Sequence, residues 1–418
     1  MVLMRLNEGL RSILLGRILV APSTFSNQPR LPMSSSAEQS DGSMDRRQFT
    51  RHALLGAAGA SVLGGCASES TSSGDAPAVQ TQPQVRWRLA SSFSRSLDTI
   101  YGASEIFAER LAALTDGRFE VRVYPGGELV PPLEVLPNVQ TGTAQMGHSA
   151  SYYFIGQNPA LAFDATVPFG LTARQYNAWM YYGGGLDLLR DVFADFNVIN
   201  FPGGNTGAQM GGWFLTEVGS LGDLQGLKMR IPGLGGRVMN EMGVNTQVLP
   251  SGEIYPSLER GAIDAAEWVG PYDDEKLGFH EVAPYYYYPG WWEPGPALTF
   301  YVNRDAYNDL PSTYQEALAS AAAEANVRMM AQYDHKNPAA LERLLEHGTE
   351  LRRFPDDVMQ RAQEITTQLL EDEASGNSQY RTIYEAYKAA REDQYRWFGT
   401  AEMAYADFAF PRSGEVAS

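Results

Sequence analysis

Cysteine is almost missing from this 418-residue chain. The single one, Cys66, excludes a disulfide within one copy and any cysteine-rich metal cluster. Histidine is scarce as well: His52, His148, His280, His335 and His347 are scattered and show no metal-site spacing. No Gly-x-Ser-x-Gly elbow occurs, and no histidine pairs with a nucleophile, which argues against acyl-transfer chemistry. No Walker-type glycine loop occurs either, so no nucleotide site is expected. Positive charge is short, with 32 Lys and Arg against 49 Asp and Glu, a formal net charge of -17. Residues 1–65 hold seven Arg and four acids, so the chain from Cys66 onward carries about -20. That balance repels nucleic acid and anionic lipid, and a receptor for an anion built on it needs a local cationic feature, an arginine or a metal. What is present is ordinary globular material, 44% hydrophobic and 11% aromatic, in a length that asks for two lobes or more. No internal repeat of fixed period is found.

The N-terminus reads as targeting rather than fold. Arg46 and Arg47 stand just before a run of small apolar residues, 53–63, that is too short to span a bilayer comfortably. The paired arginines resemble a twin-arginine signal. Leu63-Gly64-Gly65-Cys66 resembles a bacterial lipobox with Cys66 as the acylated residue, set against an ordinary export signal with an incidental cysteine. Residues 1–43 read as an extension ahead of a start at Met44, residues 44–66 as the signal, and the Ser/Thr/Gly/Pro/Gln-rich 67–84 as a tether.

From residue 85 the pattern alternates between strand and helix. Strands are expected at 85–90, 119–124, 144–147, 198–201, 227–231, 246–249 and 265–269, and helices at 99–114, 133–141, 235–242 and 253–260. Strands separated by helices predict an α/β fold with a mainly parallel sheet. The tail is helical over 313–348, 356–374 and 378–408, the last with a stripe of Tyr380, Tyr384, Tyr387, Tyr395 and Trp397. Asp273-Asp274-Glu275 reads as a solvated acidic turn, and Tyr285–Tyr288 with Trp291-Trp292 as partly buried packing.

Five segments in order then resemble the DctP-type solute receptors of tripartite ATP-independent periplasmic (TRAP) transporters, over roughly residues 86–410. They are the strand and helix of 87–114, Phe119-Glu120-Val121-Arg122-Val123-Tyr124-Pro125-Gly126-Gly127-Glu128-Leu129, and Gln140-Thr141-Gly142-Thr143-Ala144-Gln145-Met146. After these come Leu221-Gly222-Asp223-Leu224-Gln225-Gly226-Leu227-Lys228-Met229-Arg230-Ile231-Pro232-Gly233 and Leu258-Glu259-Arg260-Gly261-Ala262-Ile263-Asp264-Ala265-Ala266-Glu267. The resemblance implies a two-lobe periplasmic-binding-protein-like fold with crossing strands and a cleft between the lobes. Lobe I is expected at 85–207 plus about 298–337, lobe II at 208–297 plus about 338–376, and a long C-terminal helix at 377–410. It further implies a periplasmic receptor that hands a small organic acid to a permease of one small and one large membrane subunit, and a homodimer built on 378–408, against a helix that only braces the two lobes.

Within the family the chain is most similar to the branch that binds 2-oxo or 2-hydroxy monocarboxylates, such as pyruvate or lactate, with a metal ion. That similarity makes Gln209, Glu267 and Glu293 cation ligands through side-chain oxygens, Trp268 a ligand through its carbonyl, and Arg230 the partner of the acid's carboxylate. Gln209 and Trp268 also touch the acid, and Tyr153 follows a strand where cleft residues gather. Two buried carboxylates repel an anion unless a cation or a proton intervenes, and an all-oxygen donor set suits Na⁺ or Ca²⁺. The bland alternatives are a structural ion pair for Arg230, a solvated strand end for Glu267, a loop charge for Glu293 and a capping amide for Gln209. Two other readings compete: an aromatic acid or dicarboxylate held by Arg230 without metal, and a cleft hydrolase working with Glu267 and Glu293 as paired carboxylates.

Overall fold

The alternating run that opens the folded region becomes strand β1 (Val85–Ser91), parallel to β2 (Phe119–Tyr124) on one side and β3 (Met146–Ser149) on the other. The structure, a computed structural model, describes residues 82–410, which lie within one compact unit, Ala78–Ser418. The expected extension, the signal with Cys66 and most of the tether lie outside the described residues. Helix Gly102–Leu114 connects β1 to β2, and Thr115 ends it: its hydroxyl donates to Leu111 O at 2.7 Å and accepts from Phe119 N–H at 3.1 Å.

The first sheet is not mainly parallel as expected. Strand β10 (Ala297–Asn303) enters antiparallel between β3 and β4 (Val198–Asn205), giving the order β2-β1-β3-β10-β4. Every residue of β10 is buried, Thr299 and Asn303 included, so it lacks the alternation that marks a half-exposed strand.

The second sheet runs β11-β9-β5-β8-β6-β7. Its strands are β5 (Trp213–Phe214), β6 (Lys228–Arg230), β7 (Asn245–Gln247), β8 (Ala265–Ala266), β9 (Tyr285–Tyr288) and β11 (Glu350–Arg353). Strand β5 is antiparallel to both neighbours, and the other pairs are parallel. The tyrosine run is therefore a central strand. Successive rings take opposite faces: Tyr286 stacks on Trp213 at 4.1 Å, while Tyr287 packs on Phe214 and Phe354 at 4.8 Å each.

Each sheet has its own apolar core. Phe107, Phe119, Phe201, Phe300, Leu318 and Ala321 fill the first, and Phe214, Met229, Val238, Tyr287, Phe354 and Ala362 the second. A third cluster joins Phe93, Ile100 and Leu298 to Trp213, Trp268 and Tyr286, and Met329, Tyr333 and Leu344 complete it. Those last three belong to helix Ser312–Glu346, whose 35 residues reach about 52 Å and serve both lobes. The result is a two-lobe α/β molecule.

Near the C-terminus Asn377 caps helix Ser378–Phe398 by accepting from Tyr380 N–H at 3.0 Å. The expected helix over 378–408 is not uniform: it widens into a π turn at Gly399–Met403 and resumes at Ala404–Ala409. Its first half buries Tyr380, Ile383, Tyr384 and Tyr387, whereas Trp397, Tyr405, Phe408 and Phe410 face outward. Among the described residues no helix is long and apolar enough to cross a membrane.

Candidate functional site

The chain crosses from the first sheet to the second at 206–212 and returns at 289–296. The two crossings lie side by side: Thr206 N–H donates to Pro296 O at 3.1 Å, Gln209 N–H to Glu293 O at 3.1 Å, and Gly290 N–H to Gln209 O at 3.0 Å. Glycine is required at 290, because a Cβ there would stand 2.5 Å from Met210 O and 2.6 Å from Gln209 O. Gln209 and Glu293 are thus paired through their backbones at the hinge between lobes.

The second sheet supplies the rest from its strand ends. Arg230 closes β6 opposite Ala266 of β8, and Glu267 N–H returns to Arg230 O at 3.0 Å. Arg230 is only 1% exposed and is held on all sides. Its Nη1 donates to Glu267 Oε2 at 2.6 Å and to the Glu267 carbonyl at 2.9 Å, and its Nε donates to Leu249 O at 3.1 Å. Its Nη2 donates to the Tyr153 hydroxyl at 3.3 Å, and its guanidinium carbon lies 5.0 Å from the Trp268 ring centre. A guanidinium has five donors, so one Nη2 proton is left over.

Three oxygens at this junction are buried without a hydrogen-bond partner: Gln209 Oε1, Glu267 Oε1 and Glu293 Oε2. Gln209 is oriented by its own Nε2, which donates to Thr206 Oγ1 at 3.2 Å. Trp268 Nε1 is likewise buried and unpartnered. Burial raises the pKa of Glu267, with Arg230 opposing the rise, and burial together with the Glu267 charge raises that of Glu293 still further. The Tyr152 hydroxyl is pushed up by burial and then by the Glu293 charge. Beside these groups lies a cavity of about 10 Å³ lined by Phe93, Tyr152, Tyr153, Thr206, Gln209 and Trp268.

Unsatisfied oxygens that are buried and anionic are costly unless something positive meets them. Among the described residues no group of three His, Cys, Asp or Glu could hold a metal, which leaves two carboxylates and an amide as the donor set. That set fits a hard cation and not zinc.

The expected residues Gln209, Arg230, Glu267, Trp268, Glu293 and Tyr153 all meet here. Of the bland alternatives, the ion pair for Arg230 is real, at 2.6 Å with both partners 1% exposed. Glu267 is not a solvated strand end, since it is buried, and Glu293 does lie in a loop but is buried there. Thr206 was not legible, because nothing in its sequence surroundings marks a residue that aims a neighbour's amide. The acidic turn is a correction: Asp273 and Asp274 are buried in helix Pro271–Lys276. Asp274 accepts from Trp213 Nε1 at 3.0 Å, Tyr286 OH at 2.7 Å and the backbone N–H groups of Val269 and Gly270, and Asp273 from Tyr333 OH at 2.6 Å. The turn is drawn inward because so many donors surround it.

A two-lobe α/β molecule with polar groups converging on its interlobe crossings is a ligand-binding protein of the cleft type. The family model "Bacterial extracellular solute-binding protein, family 7" (DctP) matches residues 90–376, and the chain belongs to that family. It is 52% identical over 366 residues to a monocarboxylate 2-oxoacid-binding periplasmic protein of Nostoc sp., covering 88% of this chain and 99% of that one. A TRAP transporter solute binding protein from Bordetella bronchiseptica is 48% identical, with a TM-score of 0.78 over 78% of this chain and 98% of that one. Its crystal structure is a mixed occupancy dimer, with copurified calcium and picolinate in one active site against an apo site. A TRAP periplasmic solute binding protein from Pseudoalteromonas atlantica, 39% identical, has a TM-score of 0.75 over 78% of this chain and all of its own, and contains bound sodium and pyruvate.

Proposed function

We propose that this chain is the extracytoplasmic solute receptor of a TRAP transporter, binding a 2-oxo or 2-hydroxy monocarboxylate such as pyruvate through a Na⁺ or Ca²⁺ ion. The observation that carries the reading is the set of three orphaned oxygens, Gln209 Oε1, Glu267 Oε1 and Glu293 Oε2, at the hinge. The relatives with calcium and picolinate, and with sodium and pyruvate, support the ligand class. The three side chains and the Trp268 carbonyl would hold the cation, which supplies positive charge between two carboxylates and an anionic ligand. Arg230 offers its remaining Nη2 proton to the acid while its Nη1 fixes Glu267 in place. Tyr153 supports that guanidinium from the first lobe, so ligand contacts from both lobes favour closure.

The strand assignments support lobes of 85–207 plus about 298–337 and 208–297 plus about 338–376. The closed receptor docks on a permease of one small and one large membrane subunit. Export through the twin-arginine signal and a lipid at Cys66 complete the periplasmic placement, and the outward aromatics of 397–410 support a homodimer.

The experiment is isothermal titration of the purified protein, stripped of copurified ligand, with pyruvate, 2-oxobutyrate and lactate, each with and without Na⁺ or Ca²⁺. Tight binding that disappears without the ion is the expected result. Equal binding in a chelator and Na⁺-free buffer would discard the cation bridge.

A further inference from the structure

Phe169 sits at φ +53°, in the left-handed region that a bulky aromatic residue rarely occupies. Such a conformation persists only where surrounding contacts over-determine it, and here they do. The Phe169 N–H donates to Trp291 O at 2.9 Å, and its ring stacks on that of Trp291, centroids 5.2 Å apart and planes 13° from parallel. Trp291 lies two residues before Glu293. The contact continues along the crossing: a Cβ on Gly295 would collide with the backbone of Thr172 and Ala173, and Ala297 N–H donates to Ala165 O at 3.0 Å. Residues 165–173 therefore form a strap that backs the whole loop carrying Glu293.

The strap is itself held from outside by the C-terminal helix. The Tyr395 hydroxyl donates to the carbonyls of Phe169 and Gly170, 2.8 Å from each, and the Tyr387 hydroxyl accepts from Leu171 N–H at 2.8 Å. Large cavities flank the strap, of 810 Å³ and 720 Å³, and Phe169 and Tyr395 line both. Val167 and Leu171 anchor the strap in the core, and at Phe169, between the two cavities, the contacts with Trp291 and Tyr395 set where its backbone stands. A continuous path runs from Tyr395 through the Phe169 backbone and ring to Trp291, and from there along two peptide units to Glu293.

We propose that Phe169 and Tyr395 are positioning residues for Glu293, so that the C-terminal helix sets how tightly the hinge holds its cation. The inference rests on the reading of Glu293 as a cation ligand. It gives the C-terminal helix a part in ligand affinity that is separate from any part in dimerisation. A change in the seating of that helix moves the Glu293 loop through the strap, with no direct contact between the helix and the acid.

The test is a Ca²⁺ titration followed by tryptophan fluorescence, with pyruvate present throughout, on the wild type and on Tyr395→Phe, Phe169→Leu, Phe169→Tyr and Tyr384→Phe. Thermal melting in chelator runs alongside. Tyr395→Phe removes only a hydroxyl, and roughly threefold to tenfold weaker Ca²⁺ affinity is expected for losing the one proton it shares between the two carbonyls. Phe169→Leu is expected to weaken it at least as much, and Phe169→Tyr, which keeps the stacked ring, to restore it. Tyr384→Phe is the control, since its hydroxyl donates to Glu371 on the neighbouring helix at 3.0 Å and not to the strap. It is expected to leave Ca²⁺ affinity alone. Lower melting temperatures in Tyr395→Phe and Phe169→Leu with unchanged Ca²⁺ affinity would overturn the positioning role and leave Glu293 as a ligand. A wild type that shows no Ca²⁺ response would overturn the cation site itself, and this inference with it.

Discussion

Arg230 holds Glu267 twice, through the carboxylate at 2.6 Å and through the backbone carbonyl at 2.9 Å, both from the same Nη1. One residue thereby fixes the position and the charge of its neighbour. The grip uses only one face of the glutamate and leaves Oε1 buried and free.

Removing that grip should be expensive. Arg230→Ala leaves a carboxylate uncompensated inside the protein, and a loss of about 3–5 kcal/mol in unfolding free energy is expected, together with loss of acid binding. The double variant Arg230→Met/Glu267→Leu should regain most of the stability and none of the binding. Urea denaturation beside ligand titration checks this. An Arg230→Ala protein as stable as wild type would mean that Glu267 is uncharged in the folded state.

Glu267→Gln and Glu293→Gln keep the size of each side chain and delete one anion. Each is expected to weaken cation and acid binding together, by more than about tenfold, because charge count sets the affinity of oxygen-donor sites. The measurement is a paired titration of ion and acid. Acid affinity that stays put while cation affinity collapses would separate the two sites.

Asp98, in the first lobe after β1, meets Lys276, Lys336 and the Tyr272 hydroxyl, the last at 3.0 Å. Tyr272 lies between the two ammonium groups, 4.4 Å and 4.5 Å from its ring centre. Tyr272 and Lys276 belong to the helix that follows β8, so the cluster is a clasp between lobes. It is half exposed and therefore modest: Asp98→Asn should raise the dissociation rate of the acid about twofold to fivefold, with a smaller effect in high salt. Stopped-flow release at two salt concentrations measures it. A salt-independent effect would place its cause elsewhere.

Burial raises the pKa of Asp273 from 3.8 to about 7, its hydrogen bond from Tyr333 opposing the rise. The folded state then holds a proton that the unfolded chain has already lost between those values. Stability contributed at this position is full below about pH 3.8, falls as pH rises through the window, and levels off above about 7. Asp273→Asn cannot titrate, so its stability relative to wild type should improve by ~2–4 kcal/mol between pH 4 and pH 8. Denaturant melts across that range decide the matter, and a flat difference would show an ordinary carboxylate.

Phe408 is 92% exposed, with Tyr405, Met403 and Phe410 beside it. Exposed aromatics in such a group mark an interface. Sedimentation of the wild type should give a dimer and Phe408→Asp a shift toward monomer. A wild-type monomer at micromolar concentration would remove the dimer.

Arg230 and Glu267 could be picked out because they are polar and stand at strand ends inside family motifs: Arg230 closes β6, and Glu267 follows β8 directly. Other parts were hidden for physical reasons. Strand β10 is buried on both faces and lacks alternation, and β5 is two residues long, too short for any period to register. Asp273 and Asp274 looked solvated because three acids in a row normally are; their donors Trp213, Tyr286 and Tyr333 come from other elements, the first and last some sixty residues away. The strained Phe169 has no sequence signature, since its backbone angle is imposed by Trp291 and Tyr395.

The place of β10 has a consequence for how the molecule is made. Strands β3 and β4 are not neighbours, and the strand that must lie between them is synthesised more than ninety residues after β4 begins. The first sheet cannot close on the ribosome until nearly the whole second sheet has emerged. Its two halves wait with open edges, a topology that folds slowly and exposes unpaired strands to neighbours meanwhile. Neither lobe can be produced as a truncated gene product, and a chaperone that shields the β3 and β4 edges during synthesis should raise the yield of folded protein.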